Sequence, residues 1–391
     1  MPGVSGHLVI VGGGVASARV AQGYREAGGG DAIMLVSVDQ FPPYHRPPLS
    51  KKFLRGEAER EDTYVHPQAW YREQKVELRL ETHVERVEGT ELVLEGGERL
   101  GFDRLVLATG ARPRRLGWPG EELDGVRTLR TLVDSALIRE EARDAGSAVV
   151  VGAGFIGCEV TASLHALGVD VTHVAPEDGP YAAFGSTALT EALIDLYRSK
   201  GVVQRYGRGV RELRGEGHVD TVVTSEGEEL HARLAVLGLG VIANTELAES
   251  AGAEIGDGVL VDERFETSVP GIYAVGDLAN QHDPNFGRRR RIEHWSHANA
   301  TGEVLGKILA GVEARHDAVP SFFTEVFGLG IWVLGDTTHA EVVRVDGDFR
   351  QQSAIAYYAE DGKLAAVTCV GQDADSREVL KDRIRRHEPL Q

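Results

Sequence analysis

Cysteine and long apolar runs are both scarce in this sequence. Only Cys158 and Cys369 occur among 391 residues, which excludes a framework of disulfide bonds and indicates a reducing compartment such as the cytoplasm. No run of about eighteen apolar residues is present, so we expect no membrane-spanning segment. The first residues lack the basic region and cleavage site of a signal peptide, and we expect none.

Positive charge is also in deficit. The chain carries 42 lysine and arginine residues against 60 aspartate and glutamate residues, a formal net charge of −18. The phosphate backbone of a nucleic acid would repel such a protein. We therefore expect no nucleic-acid partner, although a local basic patch remains compatible with this composition.

Glycine, in contrast, is abundant and recurs in one pattern. A β-branched strand precedes Gly12-x-Gly14, and a second one precedes Gly152-x-Gly154. Each continues into a helical stretch and a second apolar strand, predicted at 15–27 and 32–38 in the first copy and at 155–167 and 169–175 in the second. This repeated β-α-β pattern predicts two parallel sheets.

Both glycine turns have the chemistry of a cradle for a dinucleotide pyrophosphate. The first glycine permits a tight turn, the next lets the backbone approach the phosphates, and the helix N-terminus supplies N–H donors. The first motif has serine at its third position, so a plain turn is its alternative interpretation; the second motif matches throughout. The residues assigned to cofactor binding here are Gly12, Gly14, Ser17, Gly152, Gly154, Ile156 and Gly157.

Carboxylates at the ends of the second strands are candidates for binding a ribose diol. Asp39 has this place in the first copy, and Glu177 or Asp178 has it in the second. Ordinary surface acidity is the alternative. No arginine is expected at the end of the second strand to receive a 2′-phosphate, so NADH is favoured over NADPH.

Further stretches complete an ordered set of motifs: "RLVLATGARP" at 104–113, "GLG" at 238–240 and "YAVGDLAN" at 273–280. In this order the chain resembles the flavoproteins with two dinucleotide-binding domains. The resemblance implies that FAD and NADH bind side by side, so that a hydride can pass between them. It assigns further cofactor contacts to Ala108, Thr109, Gly110, Gly240, Gly276 and Asp277.

The resemblance implies an α/β fold with two glutathione-reductase-like Rossmann domains and a C-terminal α+β interface domain. The expected FAD-binding domain is discontinuous, at 1–114 and 244–318, and the NAD(H)-binding domain spans 115–243. The tail, 319–391, shows apolar runs separated by Asp-Gly turns, which predict antiparallel hairpins. An Asp-x-x-Glu start at Asp375 predicts a last helix over 376–386.

Disulfide reductases of this kind place two cysteines in the first long helix of the FAD domain, and residues 15–56 contain none. Cys158 and Cys369 are therefore interpreted as buried apolar fillers. Electrons are expected to leave the flavin directly for an acceptor outside the chain.

The stretch "PYHRPPLSKKFL" at 43–54 resembles a loop of the ferredoxin, putidaredoxin and rubredoxin reductases, which are related to apoptosis-inducing factor and monodehydroascorbate reductase. The resemblance places Arg46 in the FAD site and Lys51 near the flavin N5, paired with Glu159. A cation there stabilises charge on the reduced flavin. Lys51 and Glu159 are the predicted catalytic residues, and Ser50 is expected to cap a short helix.

The stretch "RIEHWSHANATGEVLGKILAG" at 291–311 matches the same relatives. A helix that begins near Ser296 would direct its positive end at the flavin. Glu293, His294 and Trp295 are assigned to the cofactor site, with core packing as the alternative for Trp295. No metal site is expected. Arg288–Arg291 form either a basic rim that attracts an acidic ferredoxin or a solvated loop.

The resemblance implies an FAD-dependent NAD(P)H oxidoreductase of the ferredoxin reductase type. It would take hydride from NADH and pass single electrons to a ferredoxin-type iron–sulfur protein of an oxygenase system. One alternative is a small-molecule acceptor such as a quinone, a monodehydroascorbate-like radical or dioxygen. Another is an NADH-sensing protein like apoptosis-inducing factor. We expect a cytoplasmic enzyme that binds no membrane.

Overall fold

The computed structural model describes residues 7–390. The chain divides into two compact units. The first consists of Met1–Arg46, Glu61–Arg112 and Ile242–Ala318, and the second consists of Pro47–Arg60, Pro113–Val241 and Val319–Gln391. Among residues 7–390, no helix has both the length and the apolar character needed to span a bilayer.

A five-stranded parallel sheet is the centre of the first unit. Its strands are short runs of Val, Ile and Leu that are mostly buried, as is typical of parallel sheets covered on both faces. Val11 pairs with both Val36 and Leu107, so these three strands end at one edge of the sheet. The strand order is Ile272–Ala274, Arg104–Leu107, His7–Val11, Ala32–Val36 and Val76–Arg79.

Helices and two smaller sheets complete the first unit. The helices are Val15–Glu26, Gln68–Glu73, Glu246–Ser250 and Trp295–Leu309, with 3₁₀ turns at Glu61–Thr63 and Gly276–Leu278. The three-stranded sheet contains Val84–Glu88, Glu91–Leu94 and Arg99–Gly101, and the four-stranded sheet contains Ile255–Gly256, Gly258–Leu260, Ala279–Asp283 and Arg288–Arg291.

The helix Val15–Glu26 packs closely on the helix Trp295–Leu309 because glycines line the contact. A Cβ atom at Gly302 would collide with the carbonyl oxygen of Ala16, and one at Gly306 would collide with that of Val20. Since protein interiors are close-packed, neither position has room for a larger side chain. This contact fixes the start of the second helix beside the first glycine turn.

The second unit also has a five-stranded parallel sheet. Val151 pairs with Val174 and Leu237, so its central strands again end at one edge. The strand order is Val203–Tyr206, Asp170–Ala175, Ser147–Val151, Leu234–Leu237 and Val126–Arg127.

Two antiparallel sheets and four helices accompany this parallel sheet. The helices are Leu132–Ala145, Phe155–Ala166, Thr187–Ser199 and Ala374–Arg385, with 3₁₀ turns at Pro47–Ser50, Ala182–Phe184 and Phe349–Gln351. The three-stranded sheet contains Val210–Arg214, Thr221–Thr224 and Glu229–His231. The five-stranded sheet has the order Ser321–Val326, Leu329–Gly335, Lys363–Val370, Ser353–Glu360 and Glu341–Asp348. The short strands Ala111–Pro113 and Val241–Ala243 lie where the chain passes between the units.

The C-terminal sheet shares a core with the helices of the second unit. Cys158, Leu193 and Tyr197 pack in one buried cluster with Ile331 and Tyr358 of the C-terminal sheet. This shared core fixes strand Ser321–Val326 against helix Phe155–Ala166, which carries Glu159.

The predicted fold class is confirmed: the protein is α/β, with two Rossmann-type parallel sheets and a C-terminal antiparallel sheet followed by a helix. The predicted division into three domains, with its boundaries, stays a prediction. In the structure, residues 319–391 belong to the same compact unit as 113–241, and residues 47–60 also belong to that unit.

Several predicted element ends were wrong. Ser50 ends a 3₁₀ turn and caps no helix, because its hydroxyl donates instead to Glu159. The last helix begins at Ala374, and Asp373 is its cap, accepting from the Ser376 N–H at 2.8 Å. The strand predicted to reach residue 38 ends at Val36. Polar side chains near an element end offer several caps, and the sequence does not choose among them.

Candidate functional site

The first glycine turn lies where the central strands of the first unit end. Gly12 has a φ of 140°, and a Cβ atom there would collide with the carbonyl oxygen of Ala108. Gly14 precedes helix Val15–Glu26, which has no side-chain cap. The first N–H groups of this helix are therefore available to an anion, as a pyrophosphate cradle requires. Ser17 is buried and donates to the Gly14 carbonyl at 2.6 Å.

Arg46 and Asp39 both lie at this turn. A Cβ atom on Gly14 would be 2.8 Å from Arg46 Nη1, so the guanidinium approaches the glycine backbone closely. Asp39 lies past the end of strand Ala32–Val36, and its Oδ2 accepts from the Tyr44 hydroxyl at 2.6 Å. A cation and a carboxylate thus flank the cradle. These residues fit a dinucleotide whose phosphates contact Arg46 and whose ribose contacts Asp39.

The stretch Ala108–Gly110 is hydrogen-bonded to Asn244, a residue that the sequence did not point to. Asn244 Nδ2 donates to the Thr109 carbonyl at 2.9 Å, and the Thr109 hydroxyl donates to the Asn244 carbonyl at 3.0 Å. Gly276 has a φ of 72° and begins the 3₁₀ turn that carries Asp277. A Cβ atom on Gly276 would be 3.1 Å from Ala16 Cβ, so this turn lies beside the first helix.

The helix predicted to begin near Ser296 begins at Trp295, with His294 as its N-cap residue. Trp295 is 42% exposed, so core packing is the wrong interpretation for it. Its Nε1 donates to Nδ1 of His45 at 2.9 Å. His45 was missed because a lone histidine in a proline-rich loop has no distinguishing pattern. Glu293 pairs with Arg291, and burial lowers the pKa of His294 to about 4.

Lys51 and Glu159, the predicted catalytic pair, lie together in the second unit. Lys51 Nζ is 2.6 Å from Glu159 Oε2, and the carboxylate is almost fully buried. The turn that carries Lys51 is held by two buried serines. Ser135 donates to the Leu49 carbonyl at 2.7 Å, and Ser163 donates to the Ser50 carbonyl at 2.6 Å.

Glu159 is also held from the C-terminal sheet. The Thr324 hydroxyl donates to Glu159 Oε1 at 2.7 Å, and the Ser50 hydroxyl donates to Oε2. The Thr324 hydroxyl oxygen is also 2.7 Å from the hydroxyl oxygen of Tyr181. Burial raises the pKa of Tyr181 well above its usual range. Three donors therefore fix one buried carboxylate, and a buried charge needs such partners. Thr324 and Tyr181 could not be assigned from sequence because they are distant from Glu159 along the chain.

The second glycine turn has the geometry of the first. Gly152 has a φ of 107°, and a Cβ atom there would collide with the Gly238 carbonyl oxygen. A Cβ atom at Gly157 would collide with the Gly152 carbonyl oxygen, whereas one at Gly154 would meet nothing within 4 Å. Helix Phe155–Ala166, which includes Ile156, has no side-chain cap. The turn therefore offers open space and free N–H donors, which fits a nucleotide pyrophosphate. Gly240, with a φ of 81°, also borders open space.

The end of strand Asp170–Ala175 differs from the expectation. Glu177 is exposed there, as a ribose-binding residue would be. However, the Arg208 N–H donates to the Ala175 carbonyl at 3.0 Å, so an arginine does lie beside this strand end. The prediction that no arginine lies at this strand end was wrong, because Arg208 follows the neighbouring strand Val203–Tyr206 and is distant from Ala175 in the sequence.

Comparisons with known proteins decide the family. The sequence profile of the pyridine nucleotide-disulphide oxidoreductases matches residues 6–302. The chain belongs to this family. It is 32% identical over 390 residues to putidaredoxin reductase CamA of Pseudomonas putida, covering 97% of this chain and 92% of that protein.

One further relative and one solved structure are similar over most of their length. The ferredoxin–NAD(+) reductase component of the p-cumate 2,3-dioxygenase system of Pseudomonas putida is 36% identical over 342 residues, covering 87% of this chain and 84% of that protein. The crystal structure of the covalent putidaredoxin reductase–putidaredoxin complex matches with a TM-score of 0.94 at 31% identity, covering 99% of this chain and 94% of that one. The predicted family and enzyme class, an oxidoreductase that uses FAD and a pyridine nucleotide, are confirmed.

The family name includes a disulphide, but the two cysteines of this pyridine nucleotide-disulphide oxidoreductase are buried separately. Cys158 Sγ is 3.2 Å from the Ala153 carbonyl oxygen, and burial raises the pKa of its thiol far above the usual range. Burial also raises the pKa of Cys369 to about 11. Because the thiolate is the reactive form, both positions fit the predicted packing role.

The arginine run differs from one of its two predicted interpretations, the solvated loop. Arg288–Arg291 form a β-strand that pairs with Ala279–Asp283. Arg290 is 3.3 Å from Asp283, and Arg291 is 2.9 Å from Asp257 with only 11% of its side chain exposed. Arg289 donates to the Val261 carbonyl at 2.8 Å. The run is therefore a paired strand and not a solvated loop, and its role as a basic rim that attracts a partner stays a prediction.

Proposed function

We propose that this protein is an NADH-dependent FAD flavoprotein that reduces a ferredoxin-type iron–sulfur protein of an oxygenase system. This proposal rests on the similarity to putidaredoxin reductase, whose structure in covalent complex with putidaredoxin matches 99% of this chain. The p-cumate relative supports the oxygenase context. We also propose a cytoplasmic location, supported by two reduced, buried cysteines.

The two glycine turns would hold the two cofactors. Bound FAD would accept hydride from NADH and release the electrons one at a time. The FAD contacts would come from the first unit, with the pyrophosphate at the glycine turn and Arg46. The proposed residues are Gly12, Gly14, Ser17, Asp39, Arg46, Ala108, Thr109, Gly110, Gly276, Asp277, Glu293, His294 and Trp295.

NADH contacts would come from the second unit. The N-terminus of helix Phe155–Ala166 would bind the pyrophosphate, and exposed Glu177 would accept hydrogen bonds from a ribose diol. The proposed residues are Gly152, Gly154, Ile156, Gly157, Glu177 and Gly240.

Lys51 would supply a fixed positive charge at the hydride-accepting site. A lysine side chain alone is mobile, but the 2.6 Å contact with buried Glu159 restricts it. A preorganised charge stabilises negative charge that develops during a reaction, because it needs no reorganisation at that moment. Glu159 therefore acts by positioning Lys51.

An anaerobic assay tests the proposed function. The purified protein should be yellow, and NADH should bleach its flavin absorbance. Adding a small oxidised [2Fe–2S] ferredoxin should then restore the flavin spectrum while the ferredoxin becomes reduced. A colourless protein that cannot be reconstituted with FAD would contradict the cofactor assignment. Turnover with quinones or dyes, without reduction of any ferredoxin or rubredoxin tried, would contradict the proposed partner.

A further inference from the structure

A charged cluster lies at the carboxyl end of strand Asp170–Ala175. The backbone brings it there, since the Gly207 N–H donates to the Glu177 carbonyl and the Arg208 N–H donates to the Ala175 carbonyl, both at 3.0 Å. In dinucleotide-binding sheets, the residues at this strand end face the 2′ position of the adenosine ribose. Arg208 is therefore close enough to influence the choice between a 2′-hydroxyl and a 2′-phosphate.

The charge of Arg208 is already paired. Its Nε is 3.1 Å from Glu226, and its Nη1 is 2.9 Å from Glu228. Glu228 also accepts from Arg205 Nε at 2.8 Å. These side chains surround an open cleft of about 430 Å³, whose lining residues are Gln204, Arg205, Tyr206, Arg208, Glu226 and Glu228.

The residues at this strand end carry more negative than positive charge. Glu226 and Glu228 pair with the two arginines, and exposed Glu177 and Asp178 follow the strand with two further carboxylates. A ribose hydroxyl can donate to a carboxylate, whereas a 2′-phosphate carries negative charge and needs a free cation. Each exposed ion pair is individually weak. The discrimination therefore comes from the summed charge within a few ångströms.

We propose that Glu226 and Glu228 determine the preference for NADH over NADPH by keeping Arg208 paired. This inference rests on the proposed function, because it assumes that a pyridine nucleotide binds the second unit. With these carboxylates neutralised, Arg208 becomes free to bind a 2′-phosphate.

The double variant E226Q/E228Q tests the inference. We expect its ratio of kcat/KM for NADPH to that for NADH to rise by at least roughly tenfold over that of the wild type, since two nearby negative charges are removed. Titration calorimetry supplies a second measurement that needs no turnover. Binding of 2′-phospho-ADP-ribose should strengthen relative to binding of ADP-ribose.

The three-stranded sheet of the second unit offers a matched control. Arg214 also lies between two glutamates, 2.7 Å from Glu212 and 2.6 Å from Glu229. The variant E212Q/E229Q makes the same change in charge and should leave the coenzyme ratio unchanged. Adding R208Q to E226Q/E228Q should remove the gain.

The single variant E226Q covers the case in which the double variant does not fold, since Glu226 is an exposed residue of a turn. It should show a smaller gain in the same direction. An unchanged ratio in folded E226Q, an equal gain in the control variant, or a gain that survives R208Q would overturn the inference. Failure of the proposed function would differ, because the wild type itself would then fail to oxidise NADH.

Discussion

At the scale of single residues, the second unit contains one buried carboxylate with three donors. Glu159 accepts from Lys51, Ser50 and Thr324. Only the first of these partners could be predicted, and it came from a family resemblance. The hydroxyl donors were not predictable, because serine and threonine are common at turns and in strands and acquire this role only through the tertiary fold.

Replacing Lys51 should slow flavin reduction by NADH. Removing one preorganised charge from a reaction site typically costs roughly 100-fold in rate, so K51M should lower the single-turnover rate by about that factor. Stopped-flow absorbance measures it. The adjacent Lys52 is exposed, and K52M should react like the wild type. Normal reduction of K51M with its flavin bound would refute the role assigned to Lys51.

At the scale of elements, the helices and strands that could be predicted are those whose signal lies in residues close together in the sequence. The two β-α-β copies were predicted because buried β-branched runs and glycine turns are local signals. The strand Arg288–Arg291 was not predicted, since nothing in four arginines indicates pairing with Ala279–Asp283. Arg208 was likewise missed, because neighbouring strands of a parallel sheet are far apart in sequence.

Strand Ser321–Val326 should affect the reaction through Thr324. Burying a charged acceptor without its donor costs about 1–3 kcal/mol, so T324V should lower the free energy of unfolding by that order. It should also slow flavin reduction, because Glu159 loses a partner. T368V is the matched control. Thr368 is equally buried in the same sheet but contacts Tyr358.

Urea denaturation and stopped-flow measurements separate the two effects. T368V should lose stability and keep its rate of flavin reduction, whereas T324V should lose both. If the two variants reduced their flavin equally fast, Thr324 would have only a structural role.

At the scale of the whole molecule, several histidines are kept neutral by burial. Burial lowers the pKa of His173 and His294 to about 4 and that of His297 well below its usual range. His173 lies in the second unit and the others lie in the first. Both units are thus subject to the same effect of pH, which no local pattern in the sequence reveals.

The free energy of unfolding should therefore fall as the pH is lowered from about 6.5 towards 4. In the unfolded chain these histidines become protonated near their ordinary pKa. In the folded protein they stay neutral until the pH falls to their lowered pKa. A histidine shifted from 6.5 to about 4 contributes roughly 3 kcal/mol across this interval.

Denaturation with urea at pH 7 and at pH 5 checks this dependence, and His173 provides the sharpest variant. H173Q cannot take up the proton, so its stability should fall less between the two pH values than that of the wild type. H282Q is the control, because His282 is exposed, and its pH dependence should equal that of the wild type. The same loss of stability at pH 5 in H173Q as in the wild type would show that His173 already carries its proton in the folded protein.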